Sequence, residues 1–103
     1  MFNLEINAFL MNSSFKRKGK ILTFRIATWN INSVRLRVDL VCKLLENVEI
    51  DVLCLQECKS PVEKIPLDVF SEIGFPHLVA RGQKGYNGVA IVSRVPLIAK
   101  SAL

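Results

Sequence analysis

Two short stretches of the chain end in side chains that suit a hard cation. Leu53-Cys54-Leu55-Gln56-Glu57-Cys58-Lys59 closes an apolar run with an amide and a carboxylate, and Phe24-Arg25-Ile26-Ala27-Thr28-Trp29 runs into Asn30-Ile31-Asn32. A carboxylate from Glu57 and an amide oxygen from Asn30, brought to one edge, make a hard-oxygen pair. Mg²⁺ takes one or two carboxylates, keeps several waters and completes its shell from substrate phosphate. Held there, it would polarise a phosphoryl oxygen or stabilise a leaving oxygen; Mn²⁺ is the alternative ion. Arg35 and Lys59 lie just past the two stretches and would add cations beside the same edge. Lys84 and Tyr86, in the glycine-rich segment Gly82–Gly88, could touch a phosphodiester backbone through an ammonium and a phenol.

Each of these residues has a plainer account when taken alone. A glutamate at a strand end is more often solvated or a capping partner, an asparagine is more often a turn former, and Arg35 and Lys59 are ordinary surface charges. Gly82–Gly88 is merely a hairpin loop, since the Walker pattern is absent and no helix follows. Cys42, Cys54 and Cys58 are an odd number of thiols. Cys54 and Cys58 have no second Cys or His pair to complete a zinc site, so the three read as reduced, mostly buried thiols of a cytoplasmic protein. His77 is the only histidine, which excludes chemistry needing two. The functional reading therefore depends on convergence, and convergence depends on the elements.

Phe24–Trp29 is a strand by its aromatic and β-branched content. Asn32 or Ser33 offers a helix-capping oxygen, and Val34, Val38, Val41, Leu45 and Val48 then form a helical stripe widened by Leu40 and Leu44. Asp51–Gln56 is an unbroken apolar run of the kind covered on both faces in a parallel sheet. Strand, helix and strand in this order form a right-handed crossover with parallel strands. Both polar ends then fall on one rim, where ligands of such sheets gather. Further on, Pro66 opens a short helix over 66–73 that Gly74 closes. His77–Arg81 and Val89–Ser93 are two more strands, with Gly82–Gly88 as the hairpin loop between them.

A chain of 103 residues is one domain at most. Its hydrophobic half argues against disorder. The net charge of +5 is unevenly spread: residues 1–24 hold Lys16, Arg17, Lys18 and Lys20 against Glu5 alone, which leaves the rest only weakly basic. Bulk charge does not identify a nucleic-acid partner. No uncharged apolar run approaches the roughly 20 residues of a membrane span. Residues 1–23 read as a flexible extension outside the fold, and residues 24–103 as the patterned domain. Its strands are apolar on both alternating sets, so one sheet with helices on one face would leave the other face needing a second layer. The pattern is that of the front part of a larger α/β domain.

Three blocks carry a resemblance. Thr28-Trp29-Asn30-Ile31-Asn32-Ser33-Val34-Arg35, Leu55-Gln56-Glu57-Cys58-Lys59 and Gly82-Gln83-Lys84-Gly85-Tyr86-Asn87-Gly88-Val89-Ala90 are similar to successive blocks of the exonuclease III-type AP endonucleases. These belong to the wider endonuclease/exonuclease/phosphatase superfamily, in which the first two blocks recur in looser form; the third points to the DNA-repair branch. The resemblance covers about Phe24–Leu97, the front third or so of that catalytic domain. It implies a four-layer α/β sandwich whose second sheet is missing from this chain. It also implies Mg²⁺-dependent hydrolysis of DNA phosphodiesters at abasic sites or 3′ ends. By the same resemblance Glu57 is the metal-binding glutamate, Asn30 lies beside metal and scissile phosphate, and Asn32 stands where many relatives carry an aspartate. Arg35, Lys59, Lys84 and Tyr86 match positions that contact the DNA backbone or support the metal cluster.

The departure matters as much. The family also needs an Asp-Asn segment, an active-site tyrosine and a late Asp-His pair, all downstream of Leu103, and neither His77 nor Tyr86 supplies them. The expectation is a chain that is inactive alone. The rival readings are another superfamily phosphodiesterase acting on RNA or a phosphorylated small molecule, and a truncated or split module that docks a complementary chain.

Overall fold

Strand alternation decides which face of the sheet carries the core. In β2 (Lys20–Asn30) and β3 (Val52–Gln56), Ala27, Trp29, Leu53 and Leu55 share one face and are buried, while Ile26, Thr28, Val52 and Cys54 share the other and stay half-buried. The computed structural model describes residues 8–83 and 86–98. With β1 (Ala8–Arg17), β4 (His77–Gln83) and β5 (Tyr86–Ser93), these strands form one sheet in the order β1-β2-β3-β5-β4. β2 and β3 are parallel, with Ala27 level with Leu53 and Asn30 level with Gln56. The other pairings are antiparallel, so the sheet is mixed.

Two helices supply the covering layer. α1 (Val38–Asn47) buries Val41 and Leu45, and α2 (Leu67–Glu72) buries Phe70. These side chains join Trp29, Leu53, Leu55, Phe75, Ala90 and Val92 in one core, all the strand members coming from a single face. Burial of each large apolar side chain stabilises by about 1.5–3 kcal/mol. Trp29 is the largest of them, and its Nε1 finds no hydrogen-bond partner among the described residues. On the opposite face no described apolar side chain reaches the buried core, and the described residues hold no second sheet. The expected mixed sheet with helices on one face is what the chain forms.

Four expectations are corrected. Within the segment 1–23 expected outside the fold, residues 8–23 are part of the sheet: Ala8–Arg17 pairs with β2 along its whole length, from Ala8 opposite Trp29 to Arg17 opposite Lys20. Lys18 and Gly19, at φ 52° and 75°, make the two-residue turn, whose twist matches that of antiparallel strands. The helix after β2 opens as a single 3-10 turn, Arg35–Arg37, with α-helix only from Val38. Neither Asn32 nor Ser33 caps it. The loop expected over Gly82–Gly88 shrinks, because β4 runs on to Gln83 past an irregularity at Arg81–Gln83 and β5 begins at Tyr86. A further 3-10 turn, Val62–Lys64, follows Pro61. The short helix expected over 66–73 runs Leu67–Glu72, with Pro66 as its N-cap and Gly74, at φ 97°, beyond its end. No helix among the described residues is long and apolar enough to cross a membrane.

Candidate functional site

Beyond the ends of β2 and β3 the two chains stay together. Ile31 N–H donates to the Gln56 carbonyl (3.0 Å), Ser33 N–H to that of Glu57 (2.9 Å) and Val34 N–H to that of Cys58 (3.0 Å). Cys58 N–H donates in turn to the Gly88 carbonyl at 3.0 Å, which ties the rim to β5. Four residues of this rim hold left-handed backbone: Asn32 (φ 47°), Ser33 (83°), Glu57 (51°) and Lys59 (49°). Each costs on the order of 1–2 kcal/mol relative to ordinary geometry. The cross-chain hydrogen bonds offset this cost, as does burial of the residues in between: Ile31, Val34 and Cys58 are all inside. The polar neighbours Asn32 and Lys59 are exposed, and Glu57 is half-buried. Backbone outliers gathered at one place are a mark of functional sites.

The side chains meet on this scaffold. Asn30 Nδ2 donates to Glu57 Oε2. Lys59 Nζ donates to Asn32 Oδ1 at 2.5 Å and stands 4.0 Å from Glu57 Oε1. Arg37 Nη1 donates to the Asn32 carbonyl at 2.5 Å. One strand residue back, Gln56 Nε2 donates to Thr28 Oγ1 at 2.8 Å and joins the two strands below the rim. The convergence of Asn30, Asn32, Glu57 and Lys59 expected from the sequence is thus present.

Other expected members fall differently. Arg35 is exposed on the 3-10 turn and makes none of the described contacts with the cluster; Arg37, two residues later, takes that place. An Arg-Leu-Arg sequence offers both cations, and only the short 3-10 turn ahead of α1 selects the second. Lys84 lies outside the described residues. Tyr86 has its backbone at the start of β5, and its side chain is outside the described ones.

The donor set bears on a metal. Among the described residues no three of His, Cys, Asp and Glu gather into a closed cage. The Glu57 carboxylate, 39% exposed, and the Asn30 amide, whose Nδ2 and not its oxygen faces that carboxylate, offer at most a few oxygens to an ion that keeps most of its water, as Mg²⁺ does. They do not fit a tetrahedral zinc site. The thiols are poor candidates for chemistry: burial pushes Cys58 up to about 11 and raises Cys54. Cys42 is raised by burial and then by Glu46 and Asp39. Thiolates, the reactive form, are therefore scarce near neutral pH.

Comparison with known proteins supplies the family. Residues 27–103 match the Endonuclease/Exonuclease/phosphatase family. The exodeoxyribonuclease III of Haemophilus influenzae is 33% identical over 70 residues, 68% of this chain and 26% of that protein. The DNA repair nuclease APEX1 of Danio rerio is 30% identical over 86 residues, again 26% of that protein. Among solved structures, an AP endonuclease from Archaeoglobus fulgidus shares 45% identity with a TM-score of 0.65, over 69% of this chain and 27% of that one. The 3′ phosphatase NExo from Neisseria, bound to a product DNA hairpin, shares 48% with a TM-score of 0.63, over 67% of this chain and 26% of that one. The chain thus spans about a quarter of the length of these relatives. With its family match, a nuclease-type relative in each comparison, and Asn30 joined to Glu57 on the sheet rim, the chain belongs to the Endonuclease/Exonuclease/phosphatase family.

Proposed function

We propose that the chain carries the first part of a DNA-repair phosphodiesterase of the exodeoxyribonuclease III and AP endonuclease type. Its substrate would be double-stranded DNA cut at abasic sites or at 3′ ends, with Mg²⁺, or Mn²⁺ in its place. The observation that carries this reading is the side-chain contact between Asn30 and Glu57 where the two parallel strands end. Glu57 and Asn30 would hold the ion, which supplies positive charge to a phosphoryl or leaving oxygen. Lys59, fixed between Asn32 and Glu57, brings a cation to the same edge and would bear on a phosphate oxygen. Asn32 supports that lysine. Arg35, exposed beside the rim, and Lys84 and Tyr86 would contact the DNA backbone, positioning the duplex without reading its sequence.

The chain alone is expected to be inactive, because residues that act as a catalytic unit lose most of the rate when part of the unit is missing. A complementary chain carrying that part would be its partner if the protein is split. The raised, unreactive thiols suit a reducing, cytoplasmic setting. The half-buried apolar face of the sheet favours a second reading, a non-catalytic module that docks such a chain.

Binding and nicking of a duplex with one abasic site test the proposal. Mg²⁺-dependent binding that weakens at least fivefold in Glu57→Gln, with no nicking, is the expected result. Preferential binding of RNA or of an inositol phosphate would overturn the substrate class. Nicking by this chain that disappears in Glu57→Ala would overturn its inactivity.

A further inference from the structure

The far end of β2 forms a feature that lies outside the family-matched residues 27–103. β1 and β2 pair without a break out to Arg17 opposite Lys20, but β2 meets β3 only from Ile26 onward. From Lys20 to Thr23, β2 has no strand neighbour but β1. A two-stranded ribbon therefore stands out from the sheet by about four residues, roughly 13 Å at the rise of a strand. Its tip is Lys16-Arg17-Lys18-Gly19-Lys20, with all four cations exposed and none in an ion pair among the described residues.

Two physical points make this tip more than a solvated turn. Lys18 sits at φ 52°, where a two-residue turn favours Asn, Asp or Gly, so a cation occupies a place that backbone preference would give to another residue. Isolated two-stranded hairpins are also marginal in water, and four like charges at one tip repel one another. A polyanion would remove that repulsion.

We propose that the β1–β2 ribbon is a second contact for duplex DNA, held through the phosphodiester backbone. A two-stranded ribbon has the width that the major groove of B-form DNA admits, whereas the major groove of an RNA duplex is too narrow for it. Lysine and arginine contacts to phosphate supply affinity without sequence preference. The tip and the Asn30–Glu57 rim lie at opposite ends of an eleven-residue strand, about 35 Å apart, so they cannot share a phosphate. The ribbon needs DNA as its ligand but needs neither metal nor hydrolysis, and it stands or falls apart from the rim.

The experiment measures binding of the full chain to a short undamaged duplex by fluorescence anisotropy, in EDTA, across a salt series. Replacing Lys16, Arg17, Lys18 and Lys20 together by Gln should weaken binding at least tenfold near 0.1 M salt. It should also flatten the slope of log affinity against log salt by about 3.5. Lys18→Asn suits the turn better, so it should lower that slope by about 1 while leaving the thermal midpoint unchanged or higher. A rim variant, Arg35→Ala with Lys59→Ala, should keep the ribbon's share of the slope, which separates failure of the ribbon from failure of the rim. Unchanged affinity and slope in the fourfold variant would overturn the proposal. So would wild-type binding to phosphatidylserine vesicles without binding to the duplex, the outcome that the 68% exposed Ile21 beside these cations would favour if the ribbon met a membrane.

Discussion

Asn30 and Glu57, 27 residues apart in the sequence, are joined side chain to side chain where two parallel strands end. The bond is part-buried, and the Glu57 side chain is 39% exposed, so its contribution to stability is modest. Asn30→Ala and Glu57→Ala should each cost no more than about 1.5 kcal/mol. Because they share one contact, the double variant should cost less than the two together, with a coupling of about 0.5–1 kcal/mol. Urea unfolding of the four proteins in the cycle measures it; strict additivity would show that the pair does not interact in solution.

Ser33 holds φ 83° and meets the rest of the rim through its backbone N–H, 2.9 Å from the Glu57 carbonyl. Glycine relieves that conformation at some entropic cost in the unfolded chain. Ser33→Gly should therefore be neutral or stabilising by up to about 1 kcal/mol. Ser33→Val, with a β-branched side chain in the same backbone, should destabilise by more than about 1 kcal/mol. Thermal melting of both checks the sign, and equal behaviour of the two would refute a strained rim.

Cys58 is 1% exposed, donates weakly to the Leu55 carbonyl at 3.7 Å, and is pushed up to about 11 by burial from an ordinary value of 9.0. The folded chain therefore keeps a proton that the unfolded chain has lost. This contribution is whole below pH 9 and fades as the pH rises towards 11. The loss amounts to about 2 kcal/mol by pH 11. Stability of the wild type should fall with alkaline pH more steeply than that of Cys58→Ala. Parallel profiles between pH 8 and 11 would contradict a buried, neutral thiol.

Phe70 is fully buried in the shared core, whereas Leu36 is 81% exposed on the turn ahead of α1. Phe70→Ala should cost about 3–5 kcal/mol, and Leu36→Ala should stay within about 0.5 kcal/mol. Denaturant midpoints separate the two; similar losses would place the core elsewhere.

The legible parts of the sequence were those where burial dictates residue type. Val52–Gln56 reads as a strand because both faces are half-buried or buried, and Val41 and Leu45 mark the inner stripe of α1. Pro66 and Gly74 bracket α2 because proline fixes φ and glycine accepts a positive one. Three features were hidden. The turn at Lys18-Gly19 lacks the Asn-Gly signature, and its polar, cationic flanks mask a strand pair that has little core to bury. Asn32 and Ser33 are good capping residues by type, but register with Glu57 and Cys58 forces them left-handed and turns the Asn32 oxygen to Lys59. Arg37 could be preferred to Arg35 only once the 3-10 turn was known.

The proposed function stands on Asn30 and Glu57 sharing one divalent ion. Substoichiometric Mn²⁺ added to the full isotope-labelled chain, read by paramagnetic broadening of its NMR signals, tests it most directly. Broadening is expected to centre on the Asn30 side-chain amide and the Glu57 backbone, to be reversed by excess Mg²⁺ and to be absent in a folded Glu57→Gln variant. Broadening centred elsewhere, or unchanged in Glu57→Gln, would contradict it.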